Sequence, residues 1–243
     1  MLACVPNLPA GRITTAVCGR YPAVVNALAA CGADVIIAER HPGLSAPVAG
    51  HADMMCCHCG VNRVVTADSV LCARLLALGV DCRMSKSALC DKYPEDVKLN
   101  CLAVEKYAVA RFDALDNVLR DFFADNGIYV INVKQGYTRC SVAVVDHNSV
   151  ITADAGIASA MEEKGFDVLR IASGGIILEG YDTGFIGGCC GKISENEILF
   201  CGDPSFHPDG ERILSFLEHK GVRVLCTHTG PLVDFGGFIS LFE

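Results

Sequence analysis

Apolar residues recur along the chain with the spacing of five amphipathic helices, each followed at once by a short β-rich run. Within each segment the apolar positions fall at i, i+3 and i+4, and a glycine follows. The predicted helices and stop glycines are Tyr21–Cys31 with Gly32, Asp68–Leu78 with Gly79, Ala114–Asn126 with Gly127, Gly156–Lys164 with Gly165 and Pro208–Lys220 with Gly221. These glycines recur at intervals of 47, 48, 38 and 56 residues, which predicts five copies of one unit.

A hairpin pattern precedes four of the five helices. The predicted hairpins are Asp53–Gly60 with Arg63–Asp68, Val97–Glu105 with Tyr107–Phe112, Cys140–Asp146 with Ser149–Asp154, and Phe185–Ile193 with Ile198–Asp203. The fifth is divided between the chain ends, with one strand in Phe235–Phe242 and the other in Arg12–Cys18. Pairing of these two strands would protect both edges, as in a propeller.

The pattern therefore predicts an α/β fold in one domain spanning residues 1–243. We expect five ββαβ repeats in a five-fold pseudo-symmetric propeller, closed by pairing of the N- and C-terminal strands. An open α/β sandwich with alternating elements is the alternative. Aspartates end the second strand of three hairpins, where such a side chain can cap the next helix or its leading turn; they are Asp68, Asp154 and Asp203.

Composition narrows the class of protein. The chain is 51% hydrophobic with a mean hydropathy of +0.37, yet its apolar runs are far shorter than the ~20 residues that span a membrane. The first residues lack the basic start and long apolar segment of a secretory signal. Fifteen cysteines, several inside apolar runs such as those at Cys140, Cys201 and Cys226, indicate reduced core residues. We therefore expect a cytoplasmic protein that does not enter the membrane.

Charge restricts the partners. The formal net charge is −8, and no basic stripe occurs along the chain. This argues against a nucleic-acid partner and is compatible with a small cationic ligand. The sequence does not indicate an oligomeric state.

The cysteine-rich stretch Cys56-Cys57-His58-Cys59 has the spacing of a zinc motif. On a strand, however, neighbouring side chains point to opposite faces, so only two of these four could reach one ion. His207 precedes a predicted helix and is read as part of its N-terminal cap. We expect neither a metal nor a cofactor.

Several longer motifs resemble a known fold family. They are Gln135–Val142, Ser149–Asp154, Gly180–Gly188 and Asp234–Phe238. With the five repeats, they are similar to the pentein superfamily, the fold of the guanidino-group-modifying enzymes, and most of all to an uncharacterised bacterial family assigned to that fold. The superfamily includes arginine and agmatine deiminases, dimethylarginine hydrolases, amidinotransferases and a non-enzymatic translation initiation factor.

This resemblance implies a catalytic pair on the pseudo-axis, at one end of the inner strands. His51-Ala52-Asp53 matches the His-x-Asp pattern of the enzymes. The nucleophilic cysteine of those enzymes follows two repeats later, and that step reaches Cys140, 89 residues after His51. Cys140 would then attack a guanidinium carbon as a thiolate, while His51 would protonate the leaving amine and activate water.

Polar residues at the corresponding places of other repeats complete the implied site. Carboxylates there would hold a guanidinium by paired hydrogen bonds. The candidate substrate-binding residues are Asp53, Asn100, Gln135, Asp182 and Asp234, and Asp96 lies in the same part of its repeat as Asn100. The resemblance thus implies a Cys/His-dependent hydrolase or transferase acting on a guanidino or related small cationic C–N compound.

One position departs from the enzymes. Their cysteine lies near the C-terminus, where this chain has Ser240, so Cys140 serves only if the site is rotated about the pseudo-axis. This favours the alternative, a catalytically inactive pentein that binds a small ligand or a protein partner.

Overall fold

A computed structural model describes residues 3–243 as a mixed α/β structure. The α-helices are α1 (Pro22–Ala30), α2 (Ala52–Met55), α3 (Ser69–Ala77), α4 (Asn117–Asp125), α5 (Thr138–Ser141), α6 (Ala155–Glu162) and α7 (Gly210–His219). Short 3₁₀ turns lie at Phe112–Ala114, Gly187–Cys189 and Pro204–Phe206. The five helices predicted from periodicity are all present, as α1, α3, α4, α6 and α7.

The strands form small sheets rather than one large one. They are β1 (Thr15–Gly19), β2 (Asp34–Ala38), β3 (Cys56–Gly60), β4 (Arg63–Thr66), β5 (Asp81–Met84), β6 (Leu102–Val104), β7 (Tyr107–Ala110), β8 (Tyr129–Asn132), β9 (Val142–Asp146), β10 (Ser149–Thr152), β11 (Asp167–Arg170), β12 (Ile176–Ile177), β13 (Cys190–Ser194), β14 (Glu197–Phe200), β15 (Arg223–Cys226), β16 (Leu232–Val233) and β17 (Phe238–Phe242). Five sheets have three strands each, and β12 pairs with β16. The described residues form no closed sheet.

Each three-stranded sheet has the same plan. The middle strand pairs antiparallel with the strand of its hairpin and parallel with the strand that follows its helix. In the sheet β3-β4-β5, for example, Val65 lies between Cys57 on one side and Arg83 on the other. The predicted ββαβ unit is therefore present in the local pairing.

The two ends of the chain meet in one sheet. Strand β17 pairs antiparallel with β1, placing Phe238 opposite Cys18, and β1 pairs parallel with β2. This sheet repeats the plan of the other four with one strand taken from the C-terminal end.

Local signals explain the helix ends. The five stop glycines all have positive φ, from 65° to 89°, the left-handed conformation that glycine adopts without a steric penalty. At the helix starts, Asp68 accepts hydrogen bonds from the Val70 and Leu71 amides, and Asp154 accepts one from Ile157. Asp203 accepts one from Ser205 at the start of a 3₁₀ turn. The three predicted caps are confirmed.

The helices cover their sheets with apolar side chains. Leu71 and Leu75 of α3, for example, are buried against Val64 and Cys82. All fifteen cysteines are free in the described structure, and most are buried. The prediction that Cys226 is a core residue is wrong. It ends β15 and is exposed, because this outer strand is only partly covered. Across residues 3–243, the helices are all too short or too polar to cross a membrane.

Candidate functional site

Cys140 lies on a helical turn and not, as predicted, on a strand. The one-turn helix α5 carries it, and β9 begins only at Val142. Thr138 holds this turn in place because its hydroxyl lies within hydrogen-bonding distance of the carbonyls of Asn100 and Val109. The Cys140 side chain is buried, with 3% of its surface exposed.

Asn100 and Asp53 contact the sulfur of Cys140. The thiol donates to Oδ2 of Asp53 at 3.0 Å, and the Asn100 amide nitrogen lies 2.9 Å from the sulfur. Asn100 also donates to the Asp53 carbonyl and accepts from the Arg139 amide. One buried amide thereby joins the segments that lead into β3, β6 and β9.

His51 and Asp234 form a second pair beside this cluster. His51 immediately precedes α2, and its Nδ1 lies 3.7 Å from Oδ1 of Asp234. The Asp234 carboxylate is held in place by the backbone amides of Phe185 and Gly236 at 2.8 and 3.0 Å. His51 Nε2 is buried and has no hydrogen-bond partner among the described residues.

Burial shifts the titration of all four groups. Desolvation raises the pKa of Asp53 to about 7, with further repulsion from Asp234, and raises the pKa of Asp234 to about 6. The same burial lowers the pKa of His51 to about 4, so His51 is neutral at pH 7 and its contact with Asp234 is not an ion pair. Desolvation and the two carboxylates raise the pKa of the Cys140 thiol, which therefore rests protonated.

Three of these four groups line a cavity of about 120 Å³. His51, Cys140 and Asp234 line it together with aromatic residues that include Tyr137 and Phe185. The predicted catalytic pair thus faces one cavity. Asp53 and Asn100 lie behind Cys140 and act on it through hydrogen bonds.

Two of the predicted binding residues lie elsewhere. Gln135 lines a neighbouring cavity, where its side-chain amide donates to Asp154 and its oxygen accepts from the Tyr137 backbone. Asp182 is exposed on the loop before Phe185 and does not line the cavity of Cys140. Asp96 contacts the cavity only indirectly, because its carboxylate accepts the hydrogen bond of the Tyr137 hydroxyl.

Two residues of the site were not predicted from the sequence. Tyr137 forms an aromatic wall, its ring stacked on Phe185 with centroids 5.8 Å apart. Arg139 is a buried cation whose charge lowers the pKa of both Asp53 and Asp234, and its guanidinium donates to the carbonyls of Gly187 and Phe238. Their only sequence signal was their position in the motif that contains Cys140.

Ser240 does not reach the cavity. It lies in β17 opposite Ala16, and its hydroxyl is hydrogen bonded to the Lys192 carbonyl. The backbone carbonyl oxygen of Ser240 lies 3.2 Å from Nδ1 of His58. Among residues 3–243, no three His, Cys, Asp or Glu side chains are grouped so that they could hold a metal ion.

Comparison with solved structures shows the fold. The chain resembles the inosamine-phosphate amidinotransferase of Streptomyces griseus with a TM-score of 0.60 and 9% identity, covering 100% of this chain and 97% of that one. It resembles DDAH of Pseudomonas aeruginosa, a complex with citrulline, with a TM-score of 0.52 and 12% identity, covering 88% and 92%. An amidinotransferase from the saxitoxin biosynthetic pathway of Microseira wollei has a TM-score of 0.54 and 9% identity, covering 90% and 91%.

The fold expected from the resemblance to guanidino-modifying enzymes is thereby supported, while identities this low carry no activity across. A family model described as a family of unknown function (DUF6873) matches residues 16–239. No curated protein matches the sequence.

Proposed function

The chain belongs to DUF6873, a family of unknown function, and we propose that it is a thiol-dependent enzyme that cleaves a C–N bond of a guanidino or amidino compound. Cys140 is the nucleophile, His51 is the base for water, Asp53 accepts the thiol proton, and Asp234 binds the cationic substrate. The observation that carries this proposal is a buried thiol, a neutral histidine and a carboxylate around one cavity.

The first step forms a bond between sulfur and the amidino carbon. A guanidinium is a weak electrophile, so the thiol must lose its proton as the substrate arrives. Oδ2 of Asp53 accepts that proton over the existing 3.0 Å contact, and a pKa of about 7 suits this carboxyl to such an exchange. The positive charge of the substrate favours both the thiolate and the nearby Asp234 carboxylate.

The second step breaks the C–N bond. Once the amidino carbon is bonded to sulfur, the leaving nitrogen lies beside the sulfur that Asp53 contacts, and Asp53 returns its proton to that nitrogen. The nitrogen departs as an amine or ammonia and leaves on Cys140 a thiouronium from a guanidine or a thioimidate from an amidine. Neutral His51 then accepts a proton from water as the water attacks the amidino carbon. As the C–S bond breaks, the hydroxyl proton of the adduct passes to sulfur, which restores the thiol and releases a urea from a guanidine or an amide from an amidine, and His51 releases its proton to solvent. An amine in place of water would make the reaction a transfer.

We also propose the closed five-fold arrangement predicted from the sequence, and with it the cytosolic location. Contacts among the first strands of the hairpins support the closed arrangement. Strand β13 lies against both β9 and β17, β17 lies against β3, and β3 lies against β6. The helical turn α5 before β9 lies against β6, which continues the series around a common axis.

Labelling with chloroacetamidine tests the proposal, with neutral chloroacetamide as the matched reagent. We expect the amidine to modify Cys140 in preference to the exposed Cys226, and chloroacetamide to lack that preference. Mass spectrometry of the peptides measures both, and Cys140→Ala should abolish the preference. Equal labelling by the two reagents would contradict the enzyme and favour a catalytically inactive pentein that binds its ligand.

A further inference from the structure

The size of the Cys140 cavity restricts its occupant. Its volume is about 120 Å³. An engineered protein cavity of about 150 Å³ accommodates benzene, which has six non-hydrogen atoms. The Cys140 cavity therefore accepts a compound of roughly this size or smaller, which is less than an amidino group with an amino-acid tail.

The lining restricts the chemistry of that compound. Six apolar or aromatic side chains surround it, namely Val48, Met54, Tyr137, Leu178, Tyr181 and Phe185. Asp234 is the single charged residue of the described lining, since His51 is neutral and the lining contains no lysine or arginine. A carboxylate inside would be desolvated next to Asp234 without a cationic side chain in the lining, whereas a cation would be favoured by Asp234 and by the aromatic faces.

Two loops that contribute residues to the cavity wall contact each other. The hydroxyls of Ser45 and Tyr181 lie 3.1 Å apart, which joins the loop of residues 41–50 to the loop of residues 174–183. Gly180 packs so closely on Pro47 that a Cβ there would lie 2.9 Å from Cγ of the proline. Contacts between the two loops restrict the passage of a chain that extends from the ligand.

A neighbouring groove contains an arginine, and Leu178 lines both spaces. Arg40 and Glu179 line that groove, while Leu178 and Asp234 line both. The Arg40 guanidinium already donates to the Ala46 carbonyl. A substrate that extends from the Cys140 cavity toward Arg40 would pass Leu178.

Building on the proposed function, we infer that the substrate is a small N-alkylated guanidine or amidine of about six non-hydrogen atoms or fewer, without a carboxylate. Its amidino N–H groups donate hydrogen bonds to Asp234 and to Nε2 of His51. This nitrogen is buried and has no hydrogen-bond partner among the described residues. Its alkyl groups contact Met54, Val48 and Leu178.

Binding to the Cys140→Ala variant tests this inference, because that variant binds without reacting. The probes are methylguanidine, N,N-dimethylguanidine and acetamidine, compared with arginine and agmatine by calorimetry. We expect the small compounds to bind at least roughly tenfold more tightly than arginine. Arginine or agmatine binding equally well or better would overturn the inference.

Leu178→Ala provides a second measurement, with Leu76→Ala on an exposed face of α3 as the matched control. Truncation of Leu178 should join the Cys140 cavity to the groove that contains Arg40. We expect methylguanidine to bind roughly tenfold more weakly and agmatine to bind, whereas the control should change neither. Unchanged preferences in Leu178→Ala would overturn the assignment of Leu178 as the size limit.

The two proposals fail in different ways. Small cations that bind the Cys140→Ala variant, together with no selective labelling of Cys140 in the native protein, would overturn the chemistry and support the ligand class. Selective labelling of Cys140 together with tighter binding of arginine would support the chemistry and overturn the ligand class.

Discussion

The sulfur of Cys140 lies 3.0 Å from Oδ2 of Asp53, a carboxylate 87 residues earlier in the chain. The contact pairs a thiol whose pKa is raised with a carboxyl whose pKa is also raised, to about 7. Near neutral pH the shared proton therefore rests on sulfur in the empty cavity and can move to oxygen when a cation enters. This pair is the basis of the first two predictions.

Replacing Asp53 with Asn should make Cys140 more reactive. Removal of the carboxylate charge lowers the thiol pKa, and the thiolate fraction rises roughly tenfold for each unit by which that pKa falls. We expect faster alkylation of Cys140 by iodoacetamide at pH 8, measured by mass spectrometry with Cys226 as the internal reference. Slower or unchanged alkylation would show that Asp53 does not suppress the thiolate.

The same substitution should change how stability depends on pH. Because the folded pKa of Asp53 is about 7 and its ordinary value is 3.8, the folded state holds a proton between these values that the unfolded state has released. The Asp53 carboxyl therefore lowers the free energy of unfolding as pH rises from about 4 to 7, by up to about 1.4 kcal/mol per pH unit. Asp53→Asn should gain stability relative to the native chain over that range and no further above pH 7.

Chemical unfolding at a series of pH values measures this difference. Asp113→Asn is the control with the opposite sign, because Arg111 lowers the pKa of the exposed Asp113 carboxyl. That variant should lose stability relative to the native chain as pH rises through the acidic range. If the difference in unfolding free energy between Asp53→Asn and the native chain did not change between pH 4 and 7, the raised pKa of Asp53 would be contradicted.

Asn100→Ala should destabilise the protein by about 3 kcal/mol. The side chain is buried and bonds to the Cys140 sulfur, the Asp53 carbonyl and the Arg139 amide, so its removal leaves several buried polar groups unpaired. Urea unfolding measures the loss. Asn126 is an exposed residue whose side chain makes one part-buried hydrogen bond, to the Phe122 carbonyl, so Asn126→Ala should cost about 1 kcal/mol or less. An equal loss of stability at both positions would contradict the role of Asn100 in joining the three segments.

Gly188→Ala should disturb Asp234 directly. A Cβ at this position would lie 2.0 Å from Oδ1 of Asp234, and that carboxylate cannot move without losing its backbone hydrogen bonds. We expect a loss of about 1–3 kcal/mol in unfolding free energy and weaker binding of methylguanidine. Gly11→Ala, whose Cβ would have no described heavy atom nearer than 3.7 Å, should leave both unchanged.

The sequence by itself determined the five longer helices and the local pairing of the strands around them. Helix periodicity and the stop glycines are properties of adjacent residues, so α1, α3, α4, α6 and α7 could be predicted, as could the caps Asp68 and Asp154. Recurrence of one unit also indicated that the C-terminal strand would meet β1. The resemblance to known motifs led to His51 and Cys140, which the structure places on one cavity.

Only the tertiary structure decided which polar side chains share that cavity. Segments far apart in the chain meet where the hairpins begin, and a shift of two residues within a tight turn moves a side chain to another space. Gln135 therefore faces a neighbouring cavity while Tyr137 lines the one that contains Cys140. The roles of Arg139 and Leu178 follow in the same way from long-range packing, which leaves no periodic pattern in the sequence.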